Sequence, residues 1–236
     1  MARTDVAGLV VSGRKAHVLD GPLADAFLVP VRHDGATAVC LVPREAAGLV
    51  ATGYEAVDGT PFCQLELDGV RLPAEALLLG GNRAQAALTD AVTLARFGAA
   101  SEVLGICEAA LAETLDYLRL REQFGRRLSS FQALQYRAAD LHVEIEMLRS
   151  LVLGAANAIS ASGLGPARAD VLAAAGYACA TGDLVGRETI HLHGAIGMTE
   201  DLGIGRFLMR ANTLAKVFGD VAQIEAELAE TGVIPA

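Results

Sequence analysis

Positive charge is concentrated in one short stretch of the sequence, between two long helical patterns. Arg121, Arg126 and Arg127 flank Gly125, which predicts the end of the preceding helix. Ser129 followed by Gln132 has the spacing of a capping box that begins the next helix. The first N–H groups and the positive dipole end of such a helix favour an anion. The stretch therefore predicts a diphosphate site or, as the simpler alternative, a basic and solvated corner between two helices.

A second candidate segment follows the third helical pattern and runs from His191 to Thr199. Its small residues, Gly194, Ala195 and Gly197, allow a backbone or a flat ligand to come close. One of its two histidines could hydrogen-bond such a ligand. The alternative is a glycine-terminated helix that carries two partly buried histidines.

Composition and charge narrow the class of protein. The 236 residues are 53% hydrophobic and contain no tryptophan, so alanine, leucine and valine must fill the core. A formal net charge of -9 argues against nucleic acid or an anionic membrane as the main partner. The four cysteines lack a C-x-x-C pair or a metal-type spacing with histidine, which predicts reduced thiols and no metal site. With neither a signal-peptide pattern nor a membrane-spanning apolar run, we expect a cytoplasmic protein.

The hydrophobic pattern predicts an α+β fold: a small, partial antiparallel β-domain over residues 1–80, then an up-and-down α-helical bundle over 81–236. Short β-rich runs separated by turn residues indicate the strands, and the resulting sheet looks incomplete, with an open edge that a partner or a missing segment would cover. The expected strands are 8–13, 16–19, 26–31, 37–42 and 64–67. The expected helices are 82–121, 129–162 and 166–193, followed by a helix pair over about 200–230.

Three landmarks together resemble the acyl-CoA dehydrogenase family. Arg121-Glu-Gln-Phe-Gly125 with Phe131-Gln132 is similar to the family's R-x-x-F-G…Q motif, and His193-Gly-Ala-Ile-Gly197 to its H-G-G-x-G motif. The segment from Val11 to Asp25, with Leu67–Pro73, resembles the later part of its middle β-domain. The resemblance implies an FAD enzyme that forms a double bond between Cα and Cβ of an acyl-CoA.

In that family the flavin lies between two subunits, and the resemblance implies a role for each matching residue. Arg121 would contact the FAD diphosphate, and Gln123 and Phe124 would border the adenosine side. Gln132 would hydrogen-bond the nucleotide. The loop with His191, Gly194 and Ala195 would reach the adenosine end, with histidine and alanine at positions where the family usually has glutamine and glycine.

The sequence departs from the family where catalysis is concerned. His17-Val18-Leu19 stands in place of an aromatic-x-Thr that contacts the flavin ring, and the usual base position falls on Phe218 or Gly219. Asp220 is the nearest replacement, although an aspartate after a glycine also predicts a helix cap. Glu102 lies among small apolar residues, where desolvation would raise its pKa, as expected for a base or for a structural anchor.

The sequence has these departures and no counterpart of the family's N-terminal helical domain. Both features favour the interpretation that the chain is one subunit of a heteromer. A second acyl-CoA dehydrogenase subunit would supply the flavin-ring contacts, the acyl-CoA pocket and the base. The resemblance implies a bulky acyl-CoA, such as one with a steroid side chain, and an electron-transferring flavoprotein as oxidant. Two alternatives stay open: this chain carries the base itself, as Glu102 or Asp220, or it is a structural assembly subunit that has lost flavin and catalysis.

Overall fold

The computed structural model describes residues 2–5, 8–199 and 201–232. The chain has an α+β fold with two compact units, residues 1–91 and 92–236. The division falls inside the first long helix, which itself begins at Gly81. Within the described residues, no helix has the length and apolar character needed to cross a membrane.

The first unit contains seven strands: β1 Ala2–Asp5, β2 Gly8–Leu19, β3 Ala26–His33, β4 Ala36–Pro43, β5 Leu49–Glu55, β6 Pro61–Leu72 and β7 Leu77–Gly80. They form two antiparallel sheets, ordered β1-β2-β6-β5 and β3-β4-β7. Alternate residues of β3, such as Phe27 and Val29, point inward, as a half-buried strand requires. Their buried side chains join those of β2 and β6 in one core.

The single sheet expected from sequence is wrong, because these strands form two sheets. Strand β5 was missed because its exposed side chains and Gly53 give no clear alternation, and β7 because it is only four residues long. The two runs expected at 8–13 and 16–19 form one strand, β2, whose pairing with β6 shifts register between Lys15 and Val18. His17 lies in this irregularity with a φ of 54°.

The helices are α1 Gly81–Leu120, α2 Gln132–Ser162, α3 Arg168–His193, α4 Gly205–Val217 and α5 Val221–Glu230. The three long helices lie close to the predicted ranges. The final pair was expected from residue 200, which lies outside the described residues, and the observed α4 begins at Gly205. The connection between α1 and α2 contains two short strands that were not predicted, β8 Glu122–Gln123 and β9 Arg126–Arg127.

Small residues allow the helices of the second unit to pack closely. Its core combines leucine, isoleucine and valine with several fully buried alanines, such as Ala155 and Ala174. Gly186 on α3 lies against α4, where a Cβ would come within 3.0 Å of the Cα of Leu208. The predicted core of small aliphatic residues therefore corresponds to close helix packing.

A buried arginine connects α1 to the C-terminal helix. The Arg96 side chain is only 5% exposed and makes two hydrogen bonds with Glu227 on α5, at 2.7 and 2.8 Å. Its Nε donates to the carbonyl oxygen of Phe218, and Arg168 on α3 also pairs with Glu227. Hydrogen bonding from Arg96 is the main reason that the pKa of Glu227 is lowered to about 2.

Candidate functional site

The basic stretch between α1 and α2 is a tight β-hairpin. Glu122 pairs with Arg127 and Gln123 with Arg126, across a turn formed by Phe124 and Gly125. Both turn residues have positive φ, 55° and 77°, as a two-residue hairpin turn prefers. The N–H of Leu128 donates to the carbonyl oxygen of Arg121 and closes the hairpin at its base.

The three arginines of the hairpin have different surroundings. The Arg126 guanidinium lies 3.8 Å from the centre of the Phe131 ring, and Arg127 is 3.8 Å from a carboxylate oxygen of Glu122. Arg121 is exposed, and among the described residues no carboxylate pairs with its side chain. Phe124, at the tip, is 89% exposed. Arg121 therefore provides a cationic group that is available to an anion.

The predicted capping box is wrong. A 3-10 turn at Leu128–Ser130 precedes α2, so Phe131 is the N-cap residue and no side chain caps the helix. The hydroxyl of the neighbouring Ser130 donates to the carbonyl oxygen of Arg127 and does not cap the helix either. Gln132 is the first residue of α2, is exposed, and donates from Nε2 to the Tyr136 hydroxyl at 2.6 Å. The first N–H groups of α2 therefore lack the predicted serine cap.

The segment after α3 separates the two histidines. His193 is buried, its Nδ1 donates to the carbonyl oxygen of Thr189, and its ring stacks on Tyr117 at 4.4 Å between centroids. The alternative, a glycine-terminated helix with two partly buried histidines, therefore describes His193 but not His191. His191 is exposed, with its Nδ1 3.0 Å from Nη1 of Arg137 on α2.

Two glycines shape the turn that follows, a 3-10 segment at Gly194–Met198. Gly194 has a φ of 70° and ends α3, a backbone conformation that side chains disfavour. Gly197 is buried, and a Cβ there would lie 2.6 Å from the carbonyl oxygen of Ile190. The turn therefore lies directly against the last turns of α3.

The hairpin and the turn after α3 lie at the same end of the helical unit. Tyr117, in the last turn of α1, donates its hydroxyl to the carbonyl oxygen of His193 at 3.2 Å. Arg137, near the start of α2, contacts both His191 and Glu188 near the end of α3. The helix ends that carry the two sequence motifs are therefore in direct contact.

A groove of about 510 Å³ opens beside this turn and is lined by some of the predicted residues. Three of them contribute to it: His191, Gly194 and Ala195. Its other lining residues are Arg187, Ile190, Met198 and Leu208. The remaining predicted residues, Arg121, Gln123, Phe124 and Gln132, belong to the hairpin side and do not line this groove.

The arrangement has the chemistry that a dinucleotide requires. An exposed guanidinium suits a diphosphate, and an exposed aromatic ring and a largely apolar groove suit flat heterocycles. The described residues contain no cluster of histidine, cysteine or acidic side chains that could hold a metal ion, and all four cysteines are free. The residues present therefore fit FAD, the cofactor that the sequence resemblance implies.

The two candidate bases have structural partners. Glu102 is 44% exposed and forms an ion pair with Arg210 at 2.6 Å, so the expected apolar surroundings are wrong. The misleading signal was the run of small residues around it, in which Ala100 is buried while Glu102 is exposed. Asp220 is the N-cap of α5 and accepts a hydrogen bond from the N–H of Gln223 at 3.0 Å. Neither residue lines the groove beside His191.

Sequence reasoning missed Arg137, which links α2 to the predicted histidine. Its only sequence signal is its position near the start of α2, five residues after Gln132, and this does not distinguish it from other surface arginines.

Comparison with known proteins identifies the family. The model of the acyl-CoA dehydrogenase C-terminal domain matches residues 84–224, more than half of the chain. This chain belongs to the acyl-CoA dehydrogenase family. The acyl-CoA dehydrogenase FadE27 of Mycobacterium tuberculosis is 33% identical over 234 residues, which are 95% of this chain and 62% of that protein. The chain thus spans less than two thirds of this relative's length.

Solved acyl-CoA dehydrogenase structures share the fold. A chain of the ChsE4-ChsE5 complex from Mycobacterium tuberculosis superposes with a TM-score of 0.89 at 31% identity, covering 100% of this chain and 63% of that one. A chain of the Tcur3481-Tcur3483 steroid acyl-CoA dehydrogenase, a G363A variant, gives a TM-score of 0.84 at 31% identity, with 97% and 61% covered. Both structures are named for two components, ChsE4 with ChsE5 and Tcur3481 with Tcur3483.

Proposed function

We propose that this chain is a subunit of a heteromeric FAD-dependent acyl-CoA dehydrogenase and that it binds the adenosine diphosphate half of the flavin. The observation that carries the proposal is the Arg121 hairpin, an exposed cationic and aromatic surface at the same end of the bundle as the His191 groove. A ligand that joins an anion to a flat heterocycle would match both the cationic hairpin and the groove.

Each predicted residue has a part in this binding role. Arg121 donates charge-assisted hydrogen bonds to the diphosphate, and Gln123 and Phe124 border the adenosine. Gln132 and His191 donate hydrogen bonds to the nucleotide. Gly194 and Ala195 keep the rim of the groove low, since neither carries a side chain beyond Cβ.

The reaction class follows from the family resemblance. Bound FAD supplies a hydride acceptor for oxidation of the Cα–Cβ bond of an acyl-CoA. Proton abstraction from Cα needs a carboxylate held against that carbon. Because Glu102 pairs with Arg210 and Asp220 caps α5, we assign the base to the partner subunit.

The two solved assemblies support the choice of partner and substrate class. At 31% identity, the chains of the ChsE4-ChsE5 complex and of the Tcur3481-Tcur3483 steroid enzyme are similar to this one. We therefore propose a second acyl-CoA dehydrogenase subunit as partner and a bulky acyl-CoA, such as a steroid side-chain thioester, as substrate. The proposed oxidant, an electron-transferring flavoprotein, rests on the family resemblance.

Reconstitution tests the proposal. The chain is mixed with candidate acyl-CoA dehydrogenase subunits and FAD, the complex is purified, and its flavin absorbance and acyl-CoA-dependent dye reduction are measured. We expect one mixture to retain flavin and to reduce the dye, while either subunit alone does neither. Colourless and inactive mixtures with every candidate would contradict the proposal.

A structural assembly subunit without flavin is the second candidate function. The favouring observation is an exposed apolar stripe on α2, formed by Tyr136, Val143 and Met147, which suits helix packing against another subunit. In that case the complex would form but its flavin content would not depend on Arg121.

A further inference from the structure

A guanidinium lies behind the exposed histidine of the groove. Nη1 of Arg137 is 3.0 Å from Nδ1 of His191 and 3.2 Å from a carboxylate oxygen of Glu188. A guanidinium has only donors, so Nδ1 of His191 must accept this hydrogen bond with its lone pair. Glu188 lies 3.9 Å from the same ring nitrogen, too far for a hydrogen bond, and its carboxylate therefore holds Arg137 rather than the ring.

This contact determines where the imidazole proton lies. When Nδ1 of a neutral imidazole accepts, the proton is on Nε2, which becomes a donor. Nε2 lies on the ring edge that faces away from Arg137, and no described residue forms a hydrogen bond with it. The His191 side chain is 65% exposed and lines the groove of about 510 Å³.

An apolar surface lies beside His191 in the groove. Ile190, Ala195, Met198 and Leu208 line it together with His191 and with Arg187, whose Nε donates to Asp183. An adenine ring offers two apolar faces to such a surface, and its ring nitrogens only accept hydrogen bonds. A fixed donor next to an apolar wall is therefore complementary to adenine.

We propose that Arg137 is a positioning residue that fixes His191 as its Nε2–H tautomer, and that this N–H donates to a ring nitrogen of adenine. The proposal rests on the proposed function, because the adenine is that of the FAD bound through Arg121. It specifies the kind of ligand atom that His191 contacts, an acceptor nitrogen of adenine. It also gives a role to Arg137, which no sequence motif indicates.

Binding measurements on the reconstituted two-subunit complex, freed of flavin, test the proposal with ADP and FAD as probes. Isothermal titration calorimetry compares the wild type with Arg137→Met, His191→Phe and the double variant. The net value of one hydrogen bond predicts that each single variant binds ADP about three- to tenfold more weakly. If Arg137 acts only through His191, replacing Arg137 has no further effect once His191 is gone. The double variant then binds ADP no more weakly than His191→Phe, and the losses of the two single variants do not add.

Two further variants serve as controls. Arg149→Met removes the same charge from an α2 arginine that pairs with Glu108 and Glu146, and it should leave ADP binding unchanged. Arg137→Lys keeps a donor opposite Nδ1 and should restore much of the affinity. Additive losses in the double variant, or equal ADP binding by Arg137→Met and Arg149→Met, would overturn the proposal.

A spectroscopic readout tests the tautomer independently of any ligand. Nitrogen-15 NMR of histidine-labelled protein distinguishes protonated from unprotonated ring nitrogens, and the spectrum of His191→Phe assigns the His191 signals. We expect an unprotonated Nδ1 and a protonated Nε2 in the wild type, and a mixture of tautomers in Arg137→Met. A protonated Nδ1 in the neutral wild-type ring would overturn the proposal.

Arg121→Ala separates this inference from the proposed function. If Arg121→Ala weakens FAD binding while Arg137→Met does not, only the positioning role of Arg137 is overturned. If Arg121→Ala leaves FAD binding unchanged, the proposed function is overturned and the role of Arg137 with it.

Discussion

Arg121, Arg126 and Arg127 carry the same charge within one hairpin, yet their neighbours give them different tasks. Phe131 orients Arg126 and Glu122 partly neutralises Arg127, so both stabilise the hairpin. Arg121, at the hairpin base, keeps its donors exposed. Charge at a position is therefore insufficient to indicate a binding role, and the residues that surround each guanidinium decide it.

Gly197 gives a residue-scale prediction about the turn after α3. A Cβ at this position would come within 2.6 Å of the Ile190 carbonyl oxygen and 2.9 Å of the His193 Cβ. Gly197→Ala should therefore lower the unfolding free energy by about 1–3 kcal/mol, the usual cost of overpacking. Denaturant unfolding measures the loss. Gly165→Ala is the control, because a Cβ there meets no atom within 4 Å; equal stability of the two variants would contradict the described packing.

The candidate bases give a second residue-scale prediction. If the partner supplies the base, Glu102→Gln and Asp220→Asn should each leave the turnover of the reconstituted complex within about threefold of wild type. Loss of a general base reduces turnover by about 10²–10⁴-fold, so the outcomes are well separated. Steady-state turnover with an acyl-CoA and a dye measures this. A loss of that size in either variant would place the base in this chain.

At the scale of elements, the long helices were predictable and the short strands were not. Helices α1, α2 and α3 repeat their apolar positions over many turns, so single exposed residues do not obscure the period. The hairpin strands β8 and β9 have two residues each, too few for any periodicity. The predicted N-terminus of α2 was wrong because the 3-10 turn at Leu128–Ser130 takes the place of the capping box.

The candidate site was predictable to a similar extent. Sequence alone indicated Arg121, His191 and Gly194, because the residue types and their order resemble a family motif. It did not indicate that Tyr117 would connect the two segments or that Arg137 would contact His191, since these contacts join residues that are 76 and 54 positions apart. Contacts of this kind depend on helix packing, which no local pattern encodes.

The ion pair between α1 and α5 gives a prediction at the element scale. Hydrogen bonding from Arg96 lowers the pKa of Glu227 to about 2 in the folded chain, below the value near 4.3 of an unfolded glutamate. The folded state therefore binds this proton less readily, and the resulting stability is present above about pH 4.3 and lost as the pH falls towards 2. Its size is roughly 3 kcal/mol, from a difference of about two pKa units.

Denaturant unfolding of Glu227→Gln at several pH values measures this contribution. We expect the unfolding free energy of the variant to be roughly 3 kcal/mol lower than that of the wild type at pH 6. This difference should shrink as the pH approaches 2. Glu225→Gln is the matched control on α5, because Glu225 is exposed. If the difference in unfolding free energy were the same at pH 6 and at pH 3, the titration of Glu227 could not be its cause.

At the scale of the whole molecule, the chain combines an antiparallel β unit with a helical unit that carries both family motifs. Belonging to the acyl-CoA dehydrogenase family establishes the fold and the class of chemistry to consider. The proposed binding role rests on the surface at one end of the helical unit, which carries both the hairpin and the turn after α3. The proposal of a shared flavin site is consistent with the two-component structures among its solved relatives.

The most direct test of this account is the affinity of the reconstituted complex for FAD when Arg121 is replaced. Arg119→Ala is the matched control, because Arg119 is also exposed, lies two positions away and pairs with Asp116. Hydrogen bonds to charged groups predict that Arg121→Ala weakens FAD binding by about 10- to 100-fold, while Arg119→Ala leaves it unchanged. Equal FAD dissociation constants for the two variants would contradict the account.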